Sequence, residues 1–309
     1  FYPAYTMPES NDWRVESSSH VTDEGITVTD YVIHTPEGDL KYQVCSNAFT
    51  SWYSEHMIKR DEDIYLYKKY CPPWKIRARE LEEIYDQVGD HGILRCGIPQ
   101  YQGGCYQAAQ VMYGTENLIY ACYDKPDFVH EFLQIILEKK LEYIYTQLKN
   151  KKVDLVETGG GGSSDTIISP ALHKEFCEPY DKRIHDALHH VGHIAVYHTC
   201  GGMMSILDSI LNNGCDASET LSPPEIGGNI TGGRIVKEKL GSRIALIGGL
   251  DQVNVLTHGD EALIRKTVHS LFETYGNNGG YIISACDHFF EAPVSNLVAF
   301  ANAARECVY

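Results

Sequence analysis

The stretch His193-Ile-Ala-Val-Tyr-His198-Thr-Cys200-Gly-Gly202 decides the fold. Its first six residues are an apolar run of strand length, the glycine pair makes a turn, and Met203–Asn212 beyond it reads as a helix. His198 and Cys200 are two residues apart, so both side chains point the same way if the strand continues through them. Imidazole nitrogen and thiolate sulfur are good zinc ligands, and one rigid strand end carrying both limits the freedom lost on binding.

The same rhythm extends on either side. Strands are expected at Gly92–Gly97, Asp154–Thr158, His193–His198, Cys215–Thr220, Arg243–Gly248 and Tyr281–Ala285. Helices are expected between and after them at Lys125–Leu148, Pro170–His190, Met203–Asn212, Gly232–Leu240, Glu261–Tyr275 and Pro293–Cys307. Such alternation means a parallel α/β sheet, open or closed. Polar residues gather where these strands end: Glu157, His198 with Cys200, Glu219, Asp251, and Cys286-Asp287-His288. In a closed (β/α)8 TIM barrel all those ends meet on one face, whereas an open doubly wound sheet uses those near its switch point. The barrel is therefore the expected fold over residues 91–309. Its missing first units are assigned to the irregular first segment or to a native N-terminal piece preceding Phe1, which is not a start methionine.

Residues 1–90 differ in kind. Ile26–Thr29, Tyr31–His34 and Leu40–Val44 suggest a small antiparallel excursion, and Asp61–Tyr67 and Trp74–Val88 suggest helices. This segment is read as a cap over the barrel mouth.

A third zinc ligand has to come from another strand end, and Cys286, closing Tyr-Ile-Ile-Ser-Ala-Cys, is the best placed. Three protein ligands and an open fourth position would make the site catalytic. Asp287, His288 and Glu157 are held in reserve as alternative ligands, Asp287 and His288 also as partners of the metal. Glu157, Glu219 and Asp251 are candidates to orient a ligating histidine, move a proton or bind substrate. His185, His189, His190 and His193 lead into the opposite end of a strand and read as a solvated helix face. The run Gly159-Gly160-Gly161-Gly162 lacks the Lys-Ser/Thr of a P-loop. It is read as a wall without side chains that lets a bulky cofactor or substrate approach. Tyr101, Tyr106 and Tyr197 are expected to line the same mouth.

Composition narrows the partners. The net charge is −16, from 42 acidic and 26 basic residues, which argues against nucleic acid and anionic membranes. No apolar run is long enough to span a bilayer, and the first 30 residues lack a signal-peptide pattern. The ten cysteines are scattered in a chain too large to need disulfide staples, which suits a reducing, cytoplasmic setting.

Five segments together resemble the uroporphyrinogen decarboxylase superfamily, and within it the zinc-dependent corrinoid methyltransferases. They are Ile168-Ser-Pro170 with Glu178-Pro179-Tyr180, His198-Thr-Cys-Gly-Gly202, Ala245-Leu-Ile-Gly-Gly-Leu-Asp251, Pro293-Val-Ser-Asn296-Leu, and the turn Thr35-Pro-Glu-Gly38. The resemblance implies a (β/α)8 barrel of the uroporphyrinogen decarboxylase type. It also implies zinc held by a His-x-Cys pair and a later Cys, which fall on His198, Cys200 and Cys286. The activity implied is movement of a methyl group between a small methylated substrate or thiol and a corrinoid (cobalamin). No Asp-x-His-x-x-Gly cobalt-ligating pattern occurs, so the corrinoid is expected on a separate corrinoid protein. Two features depart from the pattern: no Arg-rich N-terminal segment of the decarboxylases occurs, and Cys286 sits in Cys-Asp-His-Phe-Phe rather than after glycine. The alternatives are a metal-free decarboxylase of a porphyrinogen-like polycarboxylate and a non-catalytic porphyrinoid-binding protein.

Overall fold

The computed structural model describes residues 1–309. The chain forms two compact units, Phe1–Val153 and Asp154–Tyr309. The sequence reading sets a cap apart at residue 90; the division between the compact units falls at Val153 and Asp154. All ten cysteines are free thiols. No helix is long and apolar enough to cross a membrane.

In the first unit, β1 (Tyr5–Thr6) pairs antiparallel with β6 (Lys75–Ile76). Between them β2 (Arg14–Val21), β3 (Thr27–Thr35), β4 (Gly38–Ser46) and β5 (Ser51–Glu55) form an antiparallel sheet in chain order. The expected breaks differ in two places. Asp30 does not interrupt β3, because its carboxylate accepts a hydrogen bond from Gln43 Nε2 at 2.8 Å across the β3–β4 pair. Strand β2 was hidden because its sequence RVESSSHV is exposed almost throughout and shows no apolar alternation. Helices α1 (Asp63–Tyr70) and α2 (Ala78–Val88) follow, then the short β7 (Arg95–Gly97) and α3 (Cys105–Tyr113), α4 (Thr115–Asp124) and α5 (Pro126–Tyr143). Helix α5 opens on Pro126, whose fixed φ and missing N–H suit a first helical turn. It buries Val129, Phe132, Leu133, Ile136, Leu137 and Lys140.

The second unit is a parallel α/β structure. Strands β8 (Leu155–Gly159), β9 (Ala195–His198), β10 (Ala217–Thr220), β11 (Ala245–Leu250) and β12 (Tyr281–Ala285) lie side by side in chain order. A doubly wound sheet would reverse its order at a switch point; a barrel adds each strand beside the last, as here. The crossovers carry α6 (Pro170–Phe176) and α7 (Glu178–His190), α8 (Leu207–Asn212), α9 (Gly233–Leu240) and α10 (Glu261–Leu271), and α11 (Val294–Glu306) follows β12. The single helix expected over Pro170–His190 is broken at Cys177, since Pro179 in the next turn has no N–H to continue the ladder. Strands β9 and β10 are buried along their whole length, as expected when both faces of a sheet are covered. One core packs Tyr197, Leu246 and Tyr281 against Ile206, Ile210, Val236 and Leu240; another packs Leu250 against Ile264, Val268 and Ala303.

Candidate metal centre

The register of the parallel strands brings the chemistry together. Gly159 pairs with His198, and His198 with Glu219, so the C-terminal ends of β8, β9 and β10 are level. Glu157, His198 and Glu219 each offer a ligand atom within 4.8 Å of the others, and all three are buried. His198 Nδ1 donates to Glu219 Oε1 at 2.6 Å, and its Nε2 lies 2.6 Å from Cys200 Sγ. Burial alone would push the His198 pKa down. Hydrogen bonds to Cys200 and Glu219 outweigh it and hold the ring up at about 10. Carboxylate, imidazole and sulfur thus form a chain at the strand ends, with the ring fixed through one nitrogen and the other turned to sulfur.

The turn after β9 is built to hold Cys200. Asp165 Oδ2 accepts from Ser205 N at 2.7 Å, and its Oδ1 accepts from Asn229 Nδ2 at 2.7 Å. Asn229 Oδ1 in turn accepts from Met203 N at 2.9 Å. Gly202 sits inside this clamp, where a Cβ would come within 1.9 Å of Asp165 Oδ1. Asp165 and Asn229 were not legible beforehand, because they come from loops after different strands and follow no spacing. The glycine run after β8 packs on the same turn. A Cβ on Gly159, at φ +83°, would lie 2.6 Å from the His198 carbonyl oxygen, and one on Gly161 would lie 3.0 Å from Cys200 Cβ. Gly160 N donates to that same carbonyl at 2.9 Å. Gly159 and Gly161 therefore let the chain itself close on the His–Cys pair.

The other expected residues make the following contacts. Cys286 is buried just past β12, with its N–H bonded to Leu250 O at 3.0 Å. Burial pushes its thiol up to about 12, against hydrogen bonds to the Gly249 backbone and the Ser222 side chain. It is not among the three groups gathered within 4.8 Å. Asp251 caps the helical turn after β11, accepting from Val253 N and Asn254 N at 2.8 Å and from Asn254 Nδ2 at 2.7 Å. Asp287 and His288 are exposed and bond to one another at 2.8 Å.

Two sequence expectations are corrected. Tyr197 does not line a mouth: it precedes His198 on the strand, so it faces the other way, fully buried, and donates to Asp181 Oδ2 at 3.0 Å. Tyr106 is likewise buried. His185 is not on a solvated face; it is fully buried, with Nδ1 donating to Asn213 O at 2.8 Å and Nε2 2.7 Å from Thr158 Oγ1. His193 is buried too, and His189 and His190 alone are exposed, as a solvated face requires.

Sequential parallel strands with a carboxylate–histidine–thiol chain at their C-terminal ends define a barrel-type α/β protein whose candidate site is on the face this fold usually uses. The uroporphyrinogen decarboxylase (URO-D) family profile matches residues 101–307, two thirds of the chain, and the chain belongs to that family. Its fold is accordingly the (β/α)8 barrel of that family, carrying an additional β-rich N-terminal segment. Among solved structures, a methyltransferase from Methanosarcina mazei superposes with a TM-score of 0.63 at 16% identity, covering 83% of this chain and 72% of that one. A mandelate racemase/muconate lactonizing enzyme-like protein from Rubrobacter xylanophilus covers 98% of this chain and 77% of its own, at 11% identity and a TM-score of 0.39, too low to bear on the fold. No curated protein sequence matches.

Proposed function

We propose that this protein is a zinc-dependent methyltransferase that moves a methyl group between a small methylated substrate or thiol and a corrinoid carried by a partner protein in the cytoplasm. The observation that carries this reading is the Glu219–His198–Cys200 chain: a carboxylate on Nδ1 fixes the tautomer that leaves Nε2 facing a thiol. That is how a zinc-binding histidine is usually set, and nitrogen with sulfur suits zinc better than magnesium or calcium. His198 Nε2, Cys200 Sγ and, from the end of β12, Cys286 Sγ would hold the metal. Zinc bound there would supply Lewis acidity, lowering the pKa of a bound thiol or polarising an ether oxygen.

The chain's own residues do the rest. Glu219 keeps the imidazole from turning and receives the Nδ1 proton's hydrogen bond throughout. Glu157, buried within 4.8 Å of His198 and Glu219, is the group to take the proton that a thiol substrate gives up. The polypeptide around Gly159-Gly160-Gly161 packs directly on the His–Cys turn, where a side chain would collide with it, and so holds that turn in place. Asp251 supports the site by capping its loop, and the exposed Asp287 and His288 are the candidates to meet substrate. Residues 1–90 are assigned as the cap, with residues 91–309 as the barrel.

Metal analysis of the purified protein tests the reading. About one zinc per chain is expected, lost in His198→Ala and in Cys200→Ser, with methylcobalamin losing its methyl group to a thiol acceptor only when zinc is present. A metal-free protein that decarboxylates uroporphyrinogen would overturn it.

A further inference from the structure

The first unit contains an aromatic cavity of about 230 Å³, with Trp13, Tyr42, Tyr53, Tyr67, Trp74 and Tyr101 in its walls. The rings are set at fixed angles: Tyr53 meets Tyr101 edge-on at 5.5 Å, and Trp13 meets Tyr67 likewise at 6.0 Å. No Asp, Glu, Lys, Arg or His lines it. A carboxylate or ammonium ligand would thus lose its hydration without finding a counter-charge.

Two buried polar atoms of its walls have no partner, the donor Trp74 Nε1 and the acceptor Gln100 Oε1. Gln100 is 7% exposed; its Nε2 donates to Tyr67 Oη at 2.6 Å, while its Oε1 is buried with no hydrogen-bond partner. An unpaired buried acceptor is costly, and native proteins keep few of them. The loop that presents it is itself unusual. Gln100, Tyr101 and Gln102 all have positive φ, at 66°, 49° and 53°, which L-residues rarely adopt in succession. Lys140, buried in α5, donates its ammonium to the carbonyls of Pro99 and Gln100 and holds the loop in place. Backbone kept in such sparsely populated conformations clusters at active sites and ligand clamps.

We propose that this cavity binds an uncharged, planar aromatic molecule bearing a hydroxyl group. The flat ring matches the aromatic walls, and the hydroxyl completes Gln100. A hydroxyl both donates and accepts, so it satisfies the amide whichever way the amide is turned. A quaternary ammonium, the other ligand that aromatic walls attract, has neither donor nor acceptor and would leave Gln100 unpaired.

Isothermal titration calorimetry of the full chain with phenol, toluene, benzoate and tetramethylammonium is the test. Phenol is expected to bind saturably at one site, and toluene, of nearly the same shape, about tenfold more weakly. Benzoate and tetramethylammonium should give no measurable heat. Gln100→Leu should remove the preference for phenol over toluene, and Val111→Trp, which fills the cavity, should abolish binding of both. Binding in His198→Ala should be unchanged. Should Gln100→Leu fail to fold, the phenol–toluene comparison and Val111→Trp still decide. The proposal is overturned if phenol does not bind, if tetramethylammonium binds as tightly, if binding survives Val111→Trp, or if it is lost in His198→Ala.

Discussion

The two ring nitrogens of His198 have different tasks, and the residue's chemistry follows from that division. Nδ1 is committed to Glu219, so Nε2 is the only nitrogen left to act as a ligand, and it already faces Cys200. With no metal present the ring keeps its proton, held at about 10; a metal has to displace it. Replacing Glu219 by Gln keeps the shape but removes the charge that makes the imidazole a strong ligand. The variant should bind zinc about 10–100-fold more weakly in competition with a chelator. Unaltered affinity would show that Glu219 does not support the metal. The pair His-x-Cys was visible in the sequence because strand geometry dictates that residues two apart share a side. Glu219 was visible only as one of several strand-end acids, and nothing in the sequence distinguished it from Asp251. The difference lies in partners: Asp251 spends its oxygens on backbone N–H groups of its own loop, while Glu219 spends one on histidine.

At the scale of elements, the turn after β9 carries the site. Two loops clamp it through Asp165 and Asn229, and Gly202 is the residue that lets them close. Gly202→Ala is expected to cost about 1–3 kcal/mol in urea unfolding through overpacking, and to release zinc although no ligand is altered. Gly192→Ala is the comparison: its φ of +88° strains an added Cβ, but nothing lies within 4 Å of it, so stability should fall without loss of zinc. Equal effects of the two substitutions on zinc retention would refute the clamp. Strands β8 to β12 were legible to within a few residues because buried parallel strands are continuous apolar runs between glycine-bearing turns. Strand β2 was not, since serines replace its apolar face. Nor was the break at Cys177, where the apolar period of α6 and α7 runs on and only Pro179 hints at an interruption.

For the molecule as a whole, buried neutral histidines couple stability to pH. Burial lowers His173 and His185 to about 4 from an ordinary 6.5. The unfolded chain therefore takes up these protons first as pH falls. The stabilisation is complete above about pH 6.5 and is lost progressively towards pH 4, by up to about 3 kcal/mol for each ring. Urea unfolding midpoints between pH 7 and 4.5 should show this fall, and His185→Gln should make it shallower; an unchanged slope in that variant would contradict the assignment. Family membership and strand order agree on the barrel, but they leave two donor sets to be distinguished. One is the trio Glu157, His198 and Glu219, gathered within 4.8 Å; the other is the proposed set of His198, Cys200 and Cys286, of which the first two lie 2.6 Å apart. X-ray absorption at the zinc edge separates them directly. The methyltransferase reading predicts two sulfur atoms at about 2.3 Å and one nitrogen at about 2.0–2.1 Å, with a light atom in the fourth position. A shell of nitrogen and oxygen without sulfur would contradict it.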